Sequence, residues 1–542
     1  MFARLLFKSL TLAAMLNSSA PGRVDDSNQP QPSSPIEATD PRPLNVQDEV
    51  FYHIMPIAWR YSAPTKADAE APQNKYRFGN FKGIQDGLPY LKSLGVTAIW
   101  LNPIFPSAAY HGYQHGPADQ INPWFGTEAD FRALVNAAHA QGVKVFLDLV
   151  VYGISQNSIY FKSSVNNPAS GYAPMLAYTD ERNTKFIGYD FKTWTGDKIG
   201  FINWDLRRAS ARRLVFEWSK KWLDPDTAGI DGYRLDHVWQ TFDKGADGLG
   251  YNIDTFWKEW RAEIESANPR VFTFAEQNDW NSFGAELLRT TKGERVHDAA
   301  FTKPFESAAR DALKEETAAK LYLSAAATLT ACPDGYTFLG IIGDHDVDRV
   351  ASAIGADDHP GRAKAAAAVL MLQPFPPIIY YGDELGMLGK GANFDSDASD
   401  IPRREPMKWN AKADESSVMT NYYALHTAAY VARYSKDADG KSVEEQDGDR
   451  DSLLNTYRGL ASERKRYTAL RAGKYVPLKC DAPGVWAFIK QHKSGDVFVA
   501  INLSAQSSRF KLESPAAQVS MRGLPIELIV KPYGYVVLPV QK

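Results

Sequence analysis

The stretch GIDGYRLDHV, residues 229 to 238, sets Asp231, Arg234 and Asp236 into a run whose other residues suit a buried strand. Burying a charge without a partner is costly, so acids and a base at this spacing point to a joint purpose. Side chains on a strand alternate between faces, which puts Arg234 and Asp236 on the same one. A guanidinium at that range favours the charged form of Asp236. Glu276 ends a second apolar run, VFTFAE, and an apolar setting favours the protonated carboxyl. Asp346 ends a third, YTFLGIIGDHD, with His345 just before it. One ionised and one protonated carboxyl are what glycoside hydrolysis needs, as nucleophile and proton donor. A single acid at a strand end is as readily a cap or a structural ion pair, and Asp231, at the start of its strand, is read that way. Three acids with Arg234 and His345 beside them are far harder to explain so.

These groups meet only if the elements carrying them bring them together. Strand-like runs cover residues 50–59, 96–103, 143–152, 229–236, 271–276, 296–301, 336–346 and 377–384. Helical patterns lie between them. In TEADFRALVNAAHAQG, Thr127 and Asp130 have capping-box spacing, apolar residues follow at helical intervals, and Gly142 ends the run. Eight strands alternating with helices predict an α/β fold, a (β/α)8 TIM barrel over residues 46–470, with its chemistry at the C-terminal strand ends. An open doubly wound sheet is the alternative, but no glycine-rich phosphate loop follows the first strand. Residues 153–205, rich in Asn, Ser, Thr, Tyr and Gly, are too long for a connection and read as an excursion domain after the third strand. Residues 471–542 hold short strands such as GVWAFIK and DVFVAINL, the pattern of a C-terminal antiparallel β-sandwich domain.

The remaining features narrow the class. At 542 residues the chain exceeds one compact domain, and its net charge of −3 gives no electrostatic case for binding nucleic acid or an anionic membrane. No apolar run after the N-terminus is long enough to span a bilayer. Residues 1–20 combine early basic residues, an apolar run and small residues, which reads as a signal peptide and predicts export to the periplasm or the medium. Residues 21–45, rich in Pro, Ser and Asp, read as a disordered linker. Cys332 and Cys480 have no metal-ligand spacing and support neither a disulfide framework nor a zinc site.

Taken together, GYRLD, FTFAE and FLGIIGDHDVDR resemble the sequence motifs of the α-amylase family of retaining glycoside hydrolases, glycoside hydrolase family 13. YHGY (110–113), INPWFGT (121–127), YYGDELGM (380–387) and REPMKW (404–409) extend the resemblance along the chain. It implies a double displacement at an α-glucosidic bond, with Asp236 as nucleophile, Glu276 as acid and base, and Asp346 stabilising the transition state. Arg234 and His345 would bind beside it, with Tyr113 as a platform under the sugar ring. The sequence also departs from the family pattern. Tyr152 and Gly153 stand where Asn-His is usual, and Phe201 stands where an acidic residue is usual, so no calcium is expected at the usual family site; no cofactor and no metal ligand is assigned. Asp344 replaces an asparagine and adds a carboxylate near the site. Trp239 and Gln240 replace a Lys-His pair of typical starch-cleaving endo-enzymes. Asp400 and Arg404, in DIPRR, stand where members acting on short substrates grip the terminal sugar, though a surface salt bridge would look the same. The expected substrates are malto- or isomalto-oligosaccharides. A transglycosylase using the same intermediate and a non-catalytic carbohydrate-binding protein are the alternatives.

Overall fold

Short apolar runs bounded by turn residues form most of the strands of this computed structural model, which describes residues 45–63, 76–239, 249–413, 418–512, 523–524 and 527–541. The expected leader, nearly all of the expected linker and Gln240 lie outside the described residues. In chain order, β1 (Phe51–Ile54), β2 (Ala98–Leu101) and β3 (Lys144–Leu149) begin a parallel sheet. The excursion follows: β4 (Gly153–Ser155), β5 (Gly188–Lys192) and β6 (Lys198–Asn203) form a small antiparallel sheet with β6 in the middle. The parallel sheet resumes with β7 (Gly232–Val238), β8 (Phe272–Gln277), β9 (Ala299–Phe301), β10 (Thr337–Leu339) and β11 (Ile378–Tyr380). Its spatial order is β10-β9-β8-β7-β3-β2-β1-β11, and a parallel bridge between Gly340 and Pro377 joins the two ends. The result is the expected eight-stranded barrel.

A barrel strand is covered on both faces, so alternation sorts residues between two apolar layers instead of between core and water. Phe51, Trp100, Phe146, Phe274 and Phe301 form one buried cluster inside the barrel. Tyr52, Ile54, Ile99 and Leu101 join the larger cluster between strands and helices. The helix Glu128–Ala140 starts at the expected capping box, with Thr127 and Asp130 bonded reciprocally, and Gly142 follows its end at φ +69°. Most of the predicted strands are shorter than their apolar runs, and two of these differences bear on the site. The run 50–59 stops at Ile54, because Pro56 takes the first position of a helical turn, Pro56–Trp59, that suits its fixed φ. The run 336–346 is a strand only to Leu339, and the acids 344 and 346 lie on the loop beyond.

The C-terminal part holds a four-stranded antiparallel sheet of β12 (Lys474–Pro477), β13 (Val485–Gln491), β14 (Asp496–Asn502) and β17 (Tyr535–Val540). The pair β15 (Ser508–Lys511) and β16 (Glu527–Val530) packs on it through Phe510, Leu528 and Val530, which share a core with Val485 and Phe498. Tyr322, on a barrel helix, anchors this unit by accepting a hydrogen bond from the Ala487 amide at 2.7 Å.

The feature of the barrel that matters most for the site is the seam between β7 and β8. Leu235 pairs with Ala275 and Val238 with Gln277, so Asp236 and His237 together oppose Glu276 in a β-bulge. His237 there adopts a left-handed φ of +45°, uncommon for a residue with a side chain. At the other end of the seam, a Cβ on Gly232 would lie 1.8 Å from the Phe272 carbonyl oxygen. Gly232→Ala must therefore push β7 off β8 and is expected to cost about 1–3 kcal/mol in thermal unfolding, with a loss of activity exceeding the fraction unfolded.

Candidate active site

Arg234 is buried at the centre of the carboxylates that the barrel brings together. Its Nη1 lies 2.8 Å from Asp148 Oδ1 and 2.8 Å from Asp236 Oδ1, and its Nη2 lies 2.7 Å from Glu276 Oε2. The alternation read from the sequence thus places Arg234 and Asp236 on one face, as expected. Asp148 has no part in the motif reading, although an acid inside KVFLDLVVY carries the same signal as Asp236. Fully buried, it also accepts from Tyr113 Oη at 2.7 Å and Trp100 Nε1 at 3.1 Å, and so fixes the guanidinium from below. Asp231 instead accepts from the Val145 amide and pairs with His139 Nε2 at 2.8 Å, the structural role expected of it.

Asp236 and Glu276 are close neighbours. One oxygen from each carboxyl and a ring nitrogen of His237 lie within 4.8 Å of one another. That falls near the short spacing of retaining glycosidases, which is about 5–5.5 Å, and well below that of inverting ones. Burial pushes the Glu276 carboxyl above its ordinary value, against the opposing pull of Arg234 and His237. It keeps its proton further up the pH scale than an exposed glutamate, as a general acid requires. Its Oε2 also accepts the His237 backbone amide at 3.2 Å, a contact that the bulge creates. Burial lowers the affinity of the His237 ring for protons, but the charges of Asp236 and Glu276 outweigh it and raise its pKa.

The loop after β10 completes the ring of acids. Asp346, partly open to the cleft, receives Arg404 Nη2 at 3.0 Å. His345 is fully buried, and desolvation with the nearby Arg404 charge keeps its imidazole neutral. The ring stacks parallel to Tyr113 at 5.3 Å, and its Nε2 lies 3.2 Å from Asp346 Oδ2. Among the described residues neither ring nitrogen has a partner in hydrogen-bonding geometry, Nε2 meeting Asp346 as a charge contact only. Arg404 is no surface residue: it is buried, and its Nε bonds the His345 carbonyl at 2.8 Å, its Nη1 Tyr110 Oη at 3.1 Å. Asp400 stands 3.4 Å from Arg404 Nη2, more exposed, at the edge of the same cluster. Arg234, His345 and Arg404 thus touch the three acids directly, while Tyr113 and Asp400 reach them through Arg234 and Arg404.

Asp344, the added carboxylate near the site, has its own cation. Lys303 Nζ lies 2.5 Å from Asp344 Oδ2 and 3.4 Å from Glu306, with both partners buried. The sequence gives no sign of this, since a lysine after a short apolar run reads as a surface residue. The lysine holds the Asp344 carboxyl well below the usual range, and Asp344 Oδ1 in turn accepts the Asp346 amide at 2.8 Å. Lys303→Met would strand this charge, and the expected cost is about 3–5 kcal/mol by chemical denaturation. Adding Asp344→Asn to that variant should recover most of the loss.

Comparison with known proteins agrees with this arrangement. A family model described as the α-amylase catalytic domain matches residues 53–473. Alpha-amylase 3 of Dictyoglomus thermophilum is 26% identical over 480 residues, covering 86% of this chain and 90% of the relative. The oligo-1,6-glucosidase of Heyndrickxia coagulans is 25% identical over 510 residues, covering 80% and 89%. The crystal structure of an α-amylase from H. orenii superposes with a TM-score of 0.73 at 24% identity, covering 91% of this chain and 99% of that one. With its barrel, its acids at the strand ends and a family match over most of its length, the chain belongs to the α-amylase family, glycoside hydrolase family 13.

Proposed function

We propose that the protein hydrolyses short α-linked gluco-oligosaccharides, of malto or isomalto type, with retention of configuration. The observation that carries the short-substrate reading is Arg404, buried against Asp346 and paired with Asp400. A cation in that position can bond the hydroxyls of a terminal sugar beside the reacting ring, and it leaves little room for a chain to continue past it. The name of the Heyndrickxia relative, an oligo-1,6-glucosidase, fits the same substrate class.

In this reading Asp236 attacks the anomeric carbon while Glu276 gives its proton to the departing oxygen. Water then attacks the glycosyl-enzyme and passes its proton back to Glu276. Asp346 and the neutral His345 bond the hydroxyls of the distorted ring, and Tyr113 lies beneath it. No metal is invoked. Tyr152 and Phe201 stand where the family pattern has oxygen ligands for calcium, and a hard cation wants several of them. A second reading, transfer to a sugar acceptor, is favoured by Trp280, which stands exposed on the loop after β8 with Lys303 Nζ 4.2 Å from its ring centre. Such a ring offers an acceptor sugar an apolar platform near Glu276. Export, read from the leader, is checked by N-terminal sequencing of protein recovered outside the cytoplasm.

Asp236→Asn is expected to abolish turnover on every α-glucoside. Glu276→Gln should lower kcat about 10²–10⁴-fold on oligosaccharides but far less on aryl glucosides, whose leaving groups need no proton. It should also remove the basic limb of the kcat/KM profile, which in the wild type lies above the ordinary glutamate range because burial raises the acid. Rates on maltotriose and isomaltotriose against soluble starch test chain length, and a preference for starch refutes the short-substrate reading. Chromatography of products at high substrate separates hydrolysis from transfer.

A further inference from the structure

The two oxygens of Asp236 are held by different kinds of donor. Oδ1 accepts from the Arg234 guanidinium at 2.8 Å, whereas Oδ2 accepts from the phenol of Tyr152 at 2.9 Å. Tyr152 is buried and rigid. Its ring stacks on His237 at 6.3 Å and meets Phe201 at 5.6 Å and Trp239 at 5.3 Å edge-on. Its carbonyl accepts from the Trp204 amide at 3.0 Å and from Asn203 Nδ2 at 3.3 Å, which ties its backbone to the end of the excursion sheet. Desolvation, reinforced by the Asp236 charge, raises the phenol well above its ordinary range, so it remains a donor.

We propose that Tyr152 is a positioning residue that holds Asp236 Oδ2 as the attacking oxygen and receives it again when the intermediate breaks down. The proposal rests on the retaining reading above. In the first step the bond from Oδ2 to the anomeric carbon forms as the glycosidic bond breaks, and the departing oxygen takes the Glu276 proton. Asp236 becomes a neutral ester, a weaker acceptor than a carboxylate, so the Tyr152 bond weakens at this stage. In the second step water bonds to the anomeric carbon and yields a proton to Glu276. The bond to Oδ2 breaks, and its electron pair returns to Asp236 as Tyr152 donates to it once more. The phenol thus assists departure of the carboxylate more than its attack. A residue at 152 that donates to the nucleophile also accounts for how this chain manages without the usual Asn-His at this position.

The test is Tyr152→Phe, which keeps the ring and its packing, assayed with 2,4-dinitrophenyl α-glucoside, whose first step needs little acid help. The expected result is a steady-state kcat lowered about tenfold after a burst of dinitrophenol, with KM falling in parallel and kcat/KM changed less than about threefold. A general loosening of the site would lower kcat and kcat/KM together, and that outcome, or no change in either, overturns the proposal. Labelling by 5-fluoro-α-glucosyl fluoride keeps the two levels apart. If wild-type protein carries no label on Asp236, the retaining reading itself fails. If it does, and the variant shows no kinetic split, only the role of Tyr152 fails.

Discussion

A single guanidinium shared among three buried carboxyls organises this site. Arg234 touches Asp148, Asp236 and Glu276, and one positive charge cannot balance three negative ones in a medium that screens poorly. The least costly solution leaves one carboxyl protonated. Burial pushes both the Asp148 and the Glu276 carboxyls upward, Asp148 to about 7, while Arg234 and the phenols of Tyr152 and Tyr113 satisfy the oxygens of Asp236 and Asp148. The proton that the cluster retains thus belongs to its two most deeply buried carboxyls, Asp148 and Glu276. The same logic operates on the other side of the barrel mouth, where Lys303 is matched to Asp344 and Arg404 to Asp346 and Asp400.

Much of this was legible in the residues because the barrel imposes simple rules. Alternation put Arg234 and Asp236 on one face, and the three acids fell at or beyond the ends of predicted strands. The capping box at Thr127 and the apolar character of the eight runs were equally readable. What escaped was determined by tertiary contact. Lys303 has Glu306 one helical turn on, which an exposed helix face would show equally, and only the approach of the β10 loop makes it the partner of Asp344. Asp400 and Arg404 were ambiguous for the same reason, since a loop cation and acid at helical spacing look alike whether they face water or the Asp346 carboxylate. Strand ends fall short of the apolar runs where Pro56 starts a helical turn after β1 and where the chain leaves the ladder beyond Gly340, whose last bridge is to Pro377.

The departures from the family pattern are coherent once placed in space. Tyr152 and Phe201 meet at 5.6 Å, ring edge to ring face, so two changes far apart in sequence fill one place with apolar surface. Asp344, standing where the family pattern has an asparagine, likewise finds its charge matched by Lys303. Each alteration alone would leave either a hole or an unmatched charge; as pairs they leave neither.

The bulge on β7 carries a consequence for the wall of the cleft. One supernumerary residue shifts the alternation by half a period, so whatever follows the nucleophile is rotated to the opposite side of the strand. Trp239 consequently reaches Tyr152 at 5.3 Å instead of facing the surrounding helices. The wall beyond Asp236 is thus set by a parity, odd or even, in the count of backbone units, and shortening β7 by one would turn Trp239 away from Tyr152 while leaving Arg234 and Asp236 where they are.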